Sequence, residues 1–169
     1  MKNQNKELFN ARHEQFMLFG TLVTFLAPAG EAAQQYTAFE NIVPPLAGPP
    51  PHTHPEQEVF YVIAGNFEFR MHDLSKPILT TAGDVIIVPP NVLHTFKNTD
   101  DTMAKLLTIL TKGKLEDYFR TIGTKVTTEN DLPNFNEAPD FSTFNIKDAL
   151  DLAPHYAVTY QLPEPVAMS

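Results

Sequence analysis

Two of the six histidines, His52 and His54, are separated by one residue, and in an extended strand that spacing sets both imidazoles on one face. Glu58 lies four positions beyond His54 and keeps the same parity. His94 opens a later strand-like run after the turn-forming Pro89-Pro90-Asn91, so a folded sheet can set it opposite the first three. Three imidazoles and one carboxylate suit a borderline divalent ion such as Fe, Mn, Co, Ni, Cu or Zn. Positions left over for water or substrate make such a centre reactive. Each ligating histidine is expected to engage an acceptor through its other ring nitrogen. All three must be deprotonated to bind, so the ion is expected to leave below about pH 6.

The remaining candidates carry less chemistry. Glu56 shares the parity of Glu58, but Pro55 and Gln57 predict a turn around it. His72 stands beside Asp73 at a strand end and is expected in solvent, and His13 and His155 are expected at the surface or in packing. The chain has no Cys, which removes disulfides, thiolate metal sites, iron–sulfur clusters and cysteine nucleophiles.

Positioning these groups requires strands. Residues 16–27 are rich in Phe, Leu, Val and Thr without a helical charge pattern and predict one or two strands, stopped by Pro28 to Gly30. Residues 36–43 predict another, closed by Pro44 and Pro45. The segment Ala47 to Pro51 lacks most ladder donors and reads as a stiff loop into His52. Residues 58–64 and 66–72 read as a hairpin turning at Ala64 to Asn66. Strands over 78–81, 85–88, 94–97 and 104–111 follow at short spacing, as in a sandwich or barrel. Phe60, Phe67, Phe69, Met71 and Phe96 form a stripe that suits barrel core or the lining of an aromatic pocket.

The period changes after Gly113. Leu115, Tyr118, Phe119 and Ile122 fall at helical spacing, with Gly123 as the stop. Residues 124–139 read as a connector. Ile146, Ala149, Leu150 and Ala153 predict a second helix, capped by Asn145 and stopped by Pro154. The tail from His155 reads as an ordered extension containing Tyr156, Tyr160 and two prolines.

Composition sets the class. A length of 169 residues with 43% hydrophobic and 19% charged residues suits one domain, and 15 Pro against 7 Gly argues against a helical bundle. A net charge of −8 repels phosphate backbones, so neither nucleic acid nor an anionic membrane is an expected partner. The polar first ten residues and the shortness of the 16–27 run predict no signal peptide and no membrane span, hence a soluble cytoplasmic protein.

Gly48 to Gly65 contains His52, His54, Glu58 and, six residues on, Gly65; Gly83 to Asn98 contains Gly83, Pro89, His94 and Asn98. These segments resemble the two motifs of the cupin superfamily. The interval to Gly65 favours Glu58 over Glu56. The single departure is Asn91 where the family usually has Gly, and Asn tolerates the positive φ that the turn needs. Residues 16–31, 48–65, 113–123 and 155–165 together resemble the quercetin 2,3-dioxygenase-like branch of single-domain cupins. The resemblance implies an all-β double-stranded β-helix over residues 16–112 with a helical extension over 113–169. It implies one divalent ion on His52, His54, Glu58 and His94, and Glu58 as general base. It further implies O2 as co-substrate, a flavonol or related enolisable aromatic as small-molecule substrate, and a homodimer formed through strand 104–111 and the helix after it. The same cage also serves noncatalytic binding proteins and O2-independent isomerases and decarboxylases. Neither motif contains Arg, and only Arg12, Arg70 and Arg120 exist, which disfavours phosphosugars.

Overall fold

The computed structural model describes residues 2–28, 35–144 and 146–162. Ala29 and Gly30 of the expected strand stop, the Asn145 cap and the prolines of the tail, Pro163 and Pro165, lie outside the described residues. A short helix, α1 (Lys2–Leu8), precedes the strands. The apolar run at 16–27 divides into β1 (Gln15–Leu18) and β2 (Thr21–Ala27). Phe19 and Gly20 both take positive φ between them, 47° and 80°, which is the backbone of a two-residue hairpin turn.

Then follow β3 (Tyr36–Val43), β4 (His52–Thr53), β5 (Glu58–Ala64), β6 (Asn66–Met71) and β7 (Pro77–Thr81). Next come β8 (Val85–Val88), β9 (His94–Asn98), β10 (Ala104–Thr111), α2 (Leu115–Ile122) and β11 (Thr124–Val126). The described chain closes with α3 (Ile146–Leu152) and β12 (Thr159–Tyr160). Among the described residues the strands form two antiparallel sheets, ordered β11-β1-β2-β3-β10-β5-β8 and β12-β4-β9-β6-β7. This is the expected double-stranded β-helix. Val43, Phe60, Val62, Val88 and Leu106 of the larger sheet meet Phe67, Phe69 and Phe96 of the smaller in one buried core. Burial of each such side chain is worth about 1.5–3 kcal/mol, enough to hold the sheets face to face.

The expected β5–β6 hairpin does not form. β5 pairs with β10 and β8, whereas β6 pairs with β7 and β9 in the other sheet. Gly65 is a corner at which the chain changes sheets, with φ +85°. A Cβ there would meet that of Ala104 at 2.5 Å, so the corner needs Gly for space as well as conformation. Two apolar runs around one Gly carry the same local signal for a hairpin and for such a corner, which explains the misreading.

The C-terminal part is not purely helical. β11 pairs with β1 and β12 pairs with β4, so both strands extend the barrel sheets. Within the expected connector, Leu132 and Phe135 are buried against Leu22 and Ile42. α2 lays Leu115 and Tyr118 against Phe25, Phe39 and Leu110 and so closes one end of the barrel. Gly123 ends α2 in extended backbone, φ −78°, where a Cβ would strike Phe119 O at 2.6 Å. Pro154 opens a 3-10 turn, Ala153–Tyr156, after α3.

Candidate metal centre

The smaller sheet builds one wall of the centre. His52 is the register partner of His94 on one side and of Tyr160 on the other, and His94 also faces Met71. Directly opposed residues in antiparallel strands share a face, so the row Tyr160–His52–His94–Met71 points one way. The shared face expected for His52 and His54 holds, with ring centroids 5.5 Å apart. Parity does not bring in Glu58. The chain leaves the smaller sheet after His54, turns through Pro55-Glu56-Gln57, and Glu58 enters from the larger sheet opposite Val88 and Leu110.

His52, His54 and His94 are buried and bring one ring nitrogen each within 4.8 Å of one another. Glu58 Oε2 lies 3.0 Å from His94 Nε2 and 3.3 Å from His54 Nε2. Donors about 2.1 Å from a common ion stand roughly 3 to 4 Å apart, so this constellation fits one cation with little adjustment. Ring orientation agrees. His52 Nδ1 is 2.9 Å from Pro50 O and His94 Nδ1 is 2.8 Å from Val92 O. A carbonyl only accepts, so Nδ1 carries the proton in both rings and Nε2 keeps its lone pair. The proline run supplies more than stiffness: Pro49 O accepts from Thr95 Oγ1, and Pro51 O accepts from the Gln161 backbone. Asn91 takes the expected positive φ, 61°, and its N–H donates to His54 O, tying the second turn to the first motif.

Burial and charge separate the titrating groups. His52 is pushed down to about 3 by burial and by the neighbouring His94. Burial opposes charge on His54 as well, but its contacts with Glu56 and Glu58 outweigh that and raise it to about 9. Burial would raise Glu58, yet its contacts with the His54 and His94 imidazoles hold it at about 2, so it is a carboxylate at neutral pH.

A cavity of about 70 Å³ opens beside His52 and Glu58. Phe39, Phe60, Phe96, Leu115 and Phe119 make its walls apolar; Thr21, Asn41 and Tyr160 add polar groups, and neither Lys nor Arg lines it. The aromatic stripe therefore divides: Phe60 and Phe96 serve core and cavity, whereas Phe67, Phe69 and Met71 serve the core. Tyr118 donates its hydroxyl to Ala149 O, so at the 3.1 Å contact between the two phenols Tyr160 donates to Tyr118. Burial raises the Tyr160 hydroxyl pKa far above its usual range.

His72 and His155 are exposed and His13 half-buried, all away from the centre, as expected. Glu56 lies in the expected turn but is buried there, 3% exposed, against His54. Its signals in the sequence were its position two residues from His54 and the parity it shares with Glu58. Tyr160 had none, because a two-residue strand after a single 3-10 turn has no period to read.

With that geometry, the class of the barrel follows. Residues 39–110, which run from β3 through most of β10, match the Cupin domain family. Protein SchB of Streptomyces halstedii is 42% identical over 57 residues, covering 33% of this chain and 40% of that protein. Acireductone dioxygenase of Aquifex aeolicus is 37% identical over 71 residues, covering 40% of this chain and 39% of that protein. The chain thus matches about two fifths of the length of each relative. Among solved structures, the plu4264 protein of Photorhabdus luminescens superposes with a TM-score of 0.53 at 25% identity, over 67% of this chain and 92% of that one. No described helix is long and apolar enough to cross a membrane.

Proposed function

We propose that this chain is a metal-dependent cupin oxygenase that binds one divalent ion through His52, His54, His94 and Glu58 and acts with O2 on a small, uncharged, enolisable substrate. The observation that carries the reading is the convergence of three imidazoles and Glu58 on one point beside an apolar cavity free of Lys and Arg. Similarity to an acireductone dioxygenase supports it. A bound ion would supply Lewis acidity and a template for an enol oxygen. Glu58 is placed to take the proton of that hydroxyl. In the metal-free protein it is already a carboxylate at neutral pH and so can accept that proton. Phe60, Phe96 and Phe119 keep water from the reacting face, and Tyr160 holds the His52 side of the cavity through its contact with Tyr118.

Size narrows the substrate. A cavity that holds benzene has about 150 Å³, and this one has about 70 Å³. The small space beside His52 and Glu58 favours a compact enol over a three-ring flavonol. Apart from His52 and Glu58, only Thr21, Asn41 and Tyr160 give the cavity polar side chains, which favours a second reading, a metal cupin that binds a small molecule without converting it.

The test is oxygen uptake by protein loaded in turn with Fe, Mn, Co, Ni or Cu, on aliphatic enediols, monocyclic enols and flavonols. Uptake with the compact enols is expected. No uptake with any metal and substrate contradicts the oxygenase, anaerobic turnover favours an isomerase or decarboxylase, and thermal stabilisation without conversion favours the binding protein.

A cytoplasmic location and a homodimer belong to the same reading. Of the dimer surface expected on β10 and α2, α2 spends its apolar face on the barrel end, which leaves the sheet face around β10. The outer face of β5, β8 and β10 is the better candidate, since Tyr61, Ile63, Val85, Ile87 and Ile109 are exposed there. A light-scattering mass of two chains is expected; one chain contradicts it.

A further inference from the structure

We propose that Glu56 is a positioning residue which divides one carboxylate between His54 and the N-terminus of α2, so that metal binding and docking of α2 support each other. The inference rests on the metal reading above. Glu56 Oε1 accepts from the backbone N–H of Lys114 at 2.6 Å and of Leu115 at 3.2 Å, the first groups of α2. These are helix N-terminal donors that no turn of the helix itself satisfies, and a buried carboxylate is a strong partner for them. Glu56 Oε2 faces His54 Nδ1 at 3.3 Å. Among the described residues, these two are the buried side-chain atoms without a hydrogen-bond partner. Closing their contact turns the imidazole about its Cβ–Cγ bond, places the proton on Nδ1 and sets where Nε2 points. His52 and His94 take that orientation from backbone carbonyls, and His54 takes it from Glu56.

Gly113 shows that the arrangement is built in. It is not in the left-handed region, so conformation does not demand Gly there. Space does: a Cβ would lie 1.8 Å from Glu56 Oε1 and 2.4 Å from its carboxyl carbon. Gly113, two residues before α2, is small so that the carboxylate can reach the helix. α2 in turn carries Leu115 and Phe119 of the cavity wall, and Tyr118, whose hydroxyl meets that of Tyr160 beside His52. The wall of the cavity and one imidazole of the centre therefore share a single side chain.

The experiment measures Co(II) affinity by chelator competition at one fixed pH for the full chain and for Glu56→Gln, Glu56→Ala, Gly113→Ala and the Glu56→Ala/Gly113→Ala double variant. Amide exchange across Leu115–Ile122 is followed with and without Co(II), and circular dichroism checks folding. Gln can serve the helix through its oxygen or avoid a donor–donor clash with His54, but not both. We expect Glu56→Gln and Gly113→Ala each to weaken Co(II) binding about 10- to 100-fold. The double variant is expected to bind no more weakly than Glu56→Ala alone, because the added methyl no longer has a carboxylate to displace. Co(II) is expected to slow exchange in α2 of the natural chain and not in the Glu56 variants. Natural affinity in folded Glu56→Gln and Gly113→Ala, or additive losses in the double variant, overturns the proposal alone. Gly113→Ala carries the same test if the Glu56 variants do not fold, since it changes no polar group. Absence of Co(II) binding by the natural chain overturns the metal reading and this proposal with it.

Discussion

Protons and a cation compete for His54. The Glu56 and Glu58 carboxylates raise it to about 9 against the cost of burial, so at neutral pH the free protein holds a proton where the ion needs a lone pair. Apparent metal affinity should rise about tenfold per pH unit from 7 towards 9 and level off above it. Competition titrations at several pH values check this, and a flat profile from 7 to 9 contradicts it. The loss expected only below pH 6 treated His54 as an ordinary imidazole. His52 behaves oppositely, since burial and His94 keep it neutral down to about 3. For the stability of the free protein, the raised His54 contributes fully below its ordinary value of 6.5, and that contribution is lost as pH rises through 9. The depressed His52 acts from 6.5 downward, where the unfolded chain takes up a proton that the folded one refuses. Glu58 contributes above 4.5 and is lost as pH falls towards 2. Thermal unfolding of metal-free protein should therefore peak near neutrality and fall on both sides.

At the scale of elements, the corners between sheets decide what meets at the centre. β4 and β5 belong to different sheets, and the turn through Glu56 carries the chain between them, so His54 and Glu58 approach from opposite walls. Gly65 performs the next crossing. Gly65→Ala must hold an L-residue at φ +85° and push against Ala104, at a cost of about 2 to 4 kcal/mol. A lowered denaturation midpoint with an unchanged slope is the expected result; a variant as stable as the natural chain contradicts the corner. This is also where reading the sequence reached its limit. Strand periods at β3, β5, β8 and β10 and the helical period of α2 were legible, because each buries one face and shows it in the residues. Which sheet a strand joins was not, since pairing is set by partners far along the chain. β12 is two residues long and owes its place to pairing with β4.

For the whole molecule, one barrel end gathers the candidate ligands and the rest holds it closed. The aromatic core of Phe60, Phe67, Phe69 and Phe96 fixes the distance between the sheets, and α2 with β12 caps the cavity. The candidate ligands were legible because a metal site needs particular donor types at spacings that a sheet must respect. The cavity was not, because Thr21, Asn41, Phe119 and Tyr160 come from four distant elements with no shared motif. An anomalous-difference map from a Co(II)-soaked crystal tests the central claim most directly. The account predicts one peak about 2.1 Å from Nε2 of His52, His54 and His94 and from a Glu58 oxygen. Density absent from that point, or an ion held elsewhere on the chain, would contradict it.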